Sequence, residues 1–167
     1  MNDGKYGHSA RDNVLGISLV RGPMYPDPLA DEGEHRFTYS LFPHPGDWTQ
    51  AGVTREALAL NSPLVPLRVG GEGLAGEFCL VRVEGVELAL GGLKAAEDGR
   101  GQILRLYEPH GARGRCRLRF PGGIHSAEKS NLLEDPGGEA LQVDGGEILL
   151  EVGPFEVVTL RVTPGTG

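Results

Sequence analysis

Apolar residues along this chain recur at every second position in short runs broken by glycine and proline, and that period predicts strands rather than helices. Val86, Leu88 and Leu90 alternate with Glu87, Ala89 and Gly91. Gln102 to Glu108 sets Leu104 and Leu106 against Ile103, Arg105 and Tyr107, so the two leucines are expected in a core and Arg105 outside it. Ile148, Leu150 and Val152 alternate with Leu149 and Glu151, and Val158, Leu160 and Val162 with Thr159 and Arg161. Nearer the amino terminus, Val14 to Val20 reads as a strand. Arg36 to Phe42 reads as another, with one buried face, alternating Phe37, Tyr39 and Leu41 against Thr38, Ser40 and Phe42. Between them, Pro23, Pro26 and Pro28 remove backbone donors and acidic residues keep the segment in water, which predicts a long loop. Asp47 is expected to cap a helix running through Ala57 to Leu60, with Trp48, Ala51 and Leu58 inward and Asn61 and Pro63 as the stop.

These elements predict an all-β chain, an antiparallel β-sandwich with one short helix in the amino-terminal third. Two parts are expected, a small β remnant over residues 1–63 and a complete terminal sandwich over 64–167. The 27 glycines and 12 prolines of the 167 residues are scattered as turn punctuation, and Gly70-Gly71 and Gly145-Gly146 read as hairpin turns. A sheet piece as small as residues 1–63 leaves strand edges without partners, and such edges recruit other chains. Self-association, or association with a separately made amino-terminal partner, is therefore expected.

Charge and cysteine content narrow the function classes. A formal net charge of -7 argues against a nucleic-acid partner, since that affinity comes largely from clustered Lys and Arg. Arg113, Arg115, Arg117 and Arg119 form a local basic stripe at period two, read as a solvated sheet face. No apolar stretch approaches the roughly 20 residues of a membrane span, and no leader pattern opens the chain, so a cytoplasmic protein is expected. Cys79 and Cys116 offer no metal spacing and read as free thiols, with a single bridge between them left open.

Candidate chemistry is sparse. A retaining glycosidase needs two carboxyls about 5 Å apart across a sugar cleft, and the acidic loop holding Asp27, Asp31, Glu32 and Glu34 has no spacing that fixes such a pair. His8, His35, His44, His110 and His125 show no zinc-site spacing and read as loop or turn residues. Nucleophile elbow, phosphate loop and dinucleotide fingerprint are all missing from the sequence. One strand face, carrying Arg105, Tyr107 and Glu108, could grip a ligand, and a cross-strand salt bridge explains these residues equally well.

Four segments give the chain a family resemblance. They are NDGKYGHSARDNVLGISLVRGPMYPDPLADEGEHRFTYSLFPHPGDW from Asn2 to Trp48, LKAAEDGRGQILRLYEPHG from Leu93 to Gly111, SNLLE from Ser130 to Glu134, and PFEVVTLRV from Pro154 to Val162. In that order they resemble the carboxy-terminal region of the family 38 glycoside hydrolases, the retaining α-mannosidases. The resemblance implies that the catalytic aspartates and the zinc ligands lie in an amino-terminal barrel with no counterpart in this sequence. No catalytic or metal-binding residue, and no cofactor, is therefore assigned to this chain. It also implies that Asn2, Asp3, Lys5 and Tyr6 could lie near a substrate cleft and contact an α-mannoside; a turn with a packed tyrosine is the other reading. The expected role is structural and cleft-closing within a mannosidase, without turnover alone. Two alternatives stand beside it, a half-enzyme complemented by a separate barrel chain and an autonomous carbohydrate-binding module. The module needs an exposed aromatic platform, whereas Trp48, the single tryptophan, is expected to be buried on the helix.

Overall fold

A computed structural model describes residues 7–68, 76–135 and 137–165. Two compact units divide the chain, Met1–Arg68 and Val69–Gly167. The glycine pair at 70 and 71 lies outside the described residues, as do Asn2, Asp3, Lys5 and Tyr6.

In the first unit, β1 (His8–Arg11) and β2 (Val14–Ile17) form an antiparallel hairpin. The segment from Arg36 to Phe42 is not a strand, which corrects the expectation from its alternation. Period two sets side-chain direction, but a strand also needs a partner for its backbone groups. Neither alternating set is buried: Tyr39 and Leu41 on one and Phe42 on the other are all exposed.

The helix forms later than expected, as α1 (Val53–Asn61). Asp47 does not cap it; its carboxylate accepts from the backbone N–H of Thr49 at 2.8 Å and from the Thr49 hydroxyl at 2.6 Å. It thereby holds a turn ahead of the helix, whose N-cap is Gly52 at φ 70 without a side-chain cap. The stop falls where Asn61 and Pro63 predict it. Trp48 is 47% exposed rather than buried. None of the residues from 7 to 68 is buried.

The second unit is the sandwich. Its strands are β3 (Arg82–Gly85), β4 (Ala89–Ala95), β5 (Gln102–Tyr107), β6 (Gly114–Arg119), β7 (Ile124–Ser130), β8 (Ala140–Leu141), β9 (Glu147–Val152) and β10 (Val157–Pro164). A five-stranded sheet runs β4-β5-β10-β7-β8 and a three-stranded sheet runs β3-β6-β9, with every pairing antiparallel. Leu104, Leu106, Val158, Leu160 and Val162 from the larger sheet and Cys116, Leu118, Ile148, Leu150 and Val152 from the smaller fill one core. The alternation of β5, β9 and β10 thus points as the sequence predicts.

The alternation around Leu88 does not. A register shift between Leu90 and Gly92 breaks the pairing of β4 with β5, leaving Leu88 and Ala89 buried and Leu90 exposed. An extra residue on one strand re-aims the side chains beside it, and no periodicity in the strand itself reveals that.

The basic stripe lies on solvent as expected. Arg115 pairs with Glu151 at 3.0 Å, Arg119 with Glu147 at 2.6 Å, and Arg117 with Glu147 at 3.4 Å and Glu84 at 3.8 Å. Cys79 and Cys116 are free thiols, and burial pushes the Cys116 thiol up from its ordinary pKa. Gly145 and Gly146 form a two-residue hairpin turn, both at positive φ, closed by hydrogen bonds between Asp144 and Glu147. Among the described residues, no helix is long and apolar enough to cross a membrane.

Candidate functional site

Strand register brings the charged residues of the recognised segments together. Lys94 of β4, Ile103 of β5, Arg161 of β10 and Glu128 of β7 stand side by side across the five-stranded sheet. Because Leu160 and Val162 point into the core, Arg161 projects from the opposite face. Two loops cover that face, the 96–101 turn between β4 and β5 and the 131–135 turn between β7 and β8.

Arg161 is only 9% exposed. Its Nη1 donates to Asp98 Oδ1 at 2.7 Å and to the Arg100 carbonyl at 3.0 Å, and its Nη2 donates to the Glu134 carbonyl at 2.7 Å. Glu128 lies 3.4 Å from its Nε. One guanidinium therefore fastens both loops to the sheet, a geometry that suits its rigid fork of donors.

Glu134, buried at φ 66, completes the second loop's attachment. Its Oε1 accepts from Lys94 Nζ at 2.9 Å and Arg105 Nη2 at 3.1 Å, and its Oε2 from the Glu97 N–H at 3.0 Å. Lys94 also pairs with Glu97. The Lys94 hydrogen bond first, then that N–H and the charges of Lys94 and Arg105, hold the Glu134 carboxyl below its ordinary pKa. Arg105 Nη2 reaches the Leu132 carbonyl as well, at 2.9 Å. Asn131 shapes the loop from inside: its Oδ1 accepts from the N–H groups of Leu133 at 3.0 Å and Asp135 at 3.1 Å.

Glu108 performs a similar task at the other end of β5. It is 1% exposed, and its carboxylate accepts from the N–H groups of Gly111 at 2.7 Å, His110 at 2.9 Å and Phe155 at 3.0 Å. Desolvation pushes its pKa up, but the backbone donors of Phe155, His110, Ala112 and Gly111 outweigh this and leave it below the ordinary value. The carboxylate ties the turn after β5 to the turn before β10.

Of the residues proposed from sequence, Arg105, Tyr107 and Glu108 thus lie on or beside one strand, and the contacts of Arg105 and Glu108 are to the protein's own loops. Glu108 is closed off by backbone donors, Arg105 is engaged by Glu134 and Leu132, and Tyr107 stands half-buried opposite Ala89 and Val157. Sequence reasoning missed Glu134, Arg161 and Lys94. Their signal was a charge beside apolar residues, on a strand for Lys94 and Arg161 and in a turn for Glu134, which alternation alone assigns to solvent.

The acidic loop of the first unit serves its own backbone. Asp31 accepts from the Gly22 N–H at 3.0 Å, Asp27 from the Leu29 N–H at 2.9 Å, and Glu34 pairs with Arg36 at 2.8 Å. His8 and His125 lie on strands rather than in loops. Among the described residues, no three His, Cys, Asp or Glu side chains come together as a metal site.

A family model described as the glycosyl hydrolases family 38 C-terminal β-sandwich domain matches residues 87–160. The chain is 38% identical to human alpha-mannosidase 2C1 over 165 residues, 96% of this chain and 16% of that protein. It is 46% identical over 186 aligned residues to an alpha-mannosidase of Saccharomyces cerevisiae, covering 97% of this chain and 17% of the relative. With alpha-mannosidase G of Dictyostelium discoideum the identity is 29%, over 96% of this chain and 15% of the relative. The chain therefore spans roughly a sixth of the length of these relatives.

Proposed function

Because this chain belongs to glycosyl hydrolase family 38 through its carboxy-terminal β-sandwich domain, we propose that it serves as the carboxy-terminal part of an α-mannosidase. In this reading it packs on an amino-terminal catalytic portion, helps to close the cleft for terminal α-mannosides, and does not turn over alone. The observation that carries the reading is coverage: nearly all of this chain, 96%, aligns with only 16% of a mannosidase.

Two physical features support it. The charged groups of the sandwich that are buried, Glu108, Glu134 and Arg161, are spent on fastening loops. A glycosidase carboxyl must instead face a sugar across a cleft. The first unit exposes large apolar side chains such as Leu15, Met24, Tyr25 and Leu41 and buries none of its described residues, the condition of a surface made to be covered. In the same reading, the zinc and the nucleophilic aspartate that the family resemblance implies belong to the amino-terminal portion.

Hydrolysis of a nitrophenyl α-mannoside tests the proposal, with zinc present, by the chain alone and after mixing with the amino-terminal portion of the yeast relative. Activity in the mixture alone is expected. Turnover by the isolated chain would overturn the assignment. The exposure of Trp48 favours one other reading, an autonomous carbohydrate-binding module. Quenching of its fluorescence by mannosides, without any partner, would establish that instead.

A further inference from the structure

The Ser130–Glu134 segment has its polarity inverted. A glutamate is almost never fully buried unless paired, and in a surface loop it ordinarily stays in water. Here Glu134 is buried under Lys94 and Arg105, while Leu132 and Leu133 are 64% and 81% exposed. The loop does not present them by default. Asn131 binds the Leu133 and Asp135 N–H groups, Arg105 binds the Leu132 carbonyl, and Arg161 binds the Glu134 carbonyl. Glu134 also sits at φ 66, a left-handed conformation disfavoured for a residue with a side chain, and the surrounding contacts hold it there. These contacts order the backbone of the loop that carries the two exposed leucines.

We propose that Leu132 and Leu133 form a preorganised docking tip that inserts into an apolar socket on the amino-terminal portion of the mannosidase. This rests on the function proposed above. Preorganisation is what makes two leucines effective, because the entropy of ordering the loop is spent on folding and not on association. The occupant follows from two observations. Roughly five sixths of each relative lies outside the region this chain matches, so a large surface of the same protein is available to meet the tip. A second copy is disfavoured because each chain carries a net charge of -7 and copies repel.

The test measures binding of the purified chain to the separately expressed amino-terminal portions of the yeast and human relatives. Three forms are compared: the unaltered chain, the Leu132→Asp/Leu133→Asp variant, and Leu149→Asp, which alters an exposed leucine of β9 on the other sheet. The double variant is expected to weaken binding at least about 30-fold, the loss typical of a buried hot spot. Leu149→Asp is expected to leave binding within about 3-fold, since isolated surface leucines are ordinary. Amide exchange at residues 131–134 of the unaltered chain is expected to slow in the complex, a readout that needs no variant to fold. Equal binding by the double variant, or unchanged exchange at the loop, overturns the tip while leaving the proposed function standing. Self-association that the double variant abolishes also overturns it, in favour of a second copy as the occupant. Failure of the unaltered chain to bind either portion overturns the proposed function itself.

Discussion

Replacing Glu108 by alanine should unlock one end of the sandwich. The carboxylate is 1% exposed and accepts three backbone N–H groups at 2.7 to 3.0 Å, with Ala112 as a fourth donor. Each hydrogen bond to a charged group contributes about 1.5–3 kcal/mol, and each donor left buried costs about 1–3 kcal/mol. The donors lie in two turns near solvent, so water can rescue some of them, and the expected loss for Glu108→Ala is about 4 kcal/mol rather than the full sum. Glu108→Gln keeps one accepting oxygen but sets an amide donor against backbone donors, and should lose about 2 kcal/mol. Urea unfolding followed by circular dichroism reads the change, and amide exchange at His110, Gly111 and Phe155 assigns it to this site. The pH dependence carries the same signature. Glu108 has a lower pKa in the folded chain than its ordinary 4.5, so its contribution is complete above that value. It is lost as pH falls through the folded value, because the unfolded chain takes up the proton first. Asp98 and Glu134 are shifted in the same direction, so Glu108→Gln should flatten the acid slope without abolishing it. A loss below about 1 kcal/mol for Glu108→Ala would refute the reasoning, since that is what one ordinary hydrogen bond contributes.

Arg161→Ala should cost about 2–3 kcal/mol, discounted because Asp98 and Glu128 stay partly in water, by removing the donors to Asp98 and to the Arg100 and Glu134 carbonyls, and thermal unfolding measures it. Gly101→Ala should destabilise by about 1–3 kcal/mol, measurable in the same unfolding assay: the glycine sits at φ 79 and an added Cβ would lie 2.6 Å from the Val162 carbonyl. A thiol reagent should label Cys79 in the folded chain and Cys116 only after denaturant, because Cys116 is buried with its thiol pKa raised. Arg115→Ala should change stability by less than about 0.5 kcal/mol in denaturant titration, since its pair with Glu151 is exposed on both sides.

Much of the candidate site was present in the sequence as words without grammar. The segments from Leu93 to Gly111, Ser130 to Glu134 and Pro154 to Val162 contain every side chain of the loop clamp except Glu128. Their proximity was not legible. Lys94, Arg105, Glu134 and Arg161 are up to 67 residues apart, from 94 to 161, and meet because β4, β5, β10 and β7 pair side by side in one register. The exposed Trp48 and the missing strand at Arg36 to Phe42 have another cause. Alternation and apolarity report which face a residue would bury if a partner were present, and within the described residues of the first unit no partner strand pairs with that segment.

By itself, the sequence determined the β class, the single short helix, the inward faces of β5, β9 and β10, the solvated arginine stripe and the family. These follow from local period, turn residues and ordered segments, which need no knowledge of what lies across the chain. Only the tertiary structure decided that Glu108 and Glu134 are buried fasteners, that β4 is bulged, and that two leucines of a charged loop face outward. Each outcome depends on strand register, where a shift of one residue exchanges the buried and exposed faces, and register is a relation between distant segments.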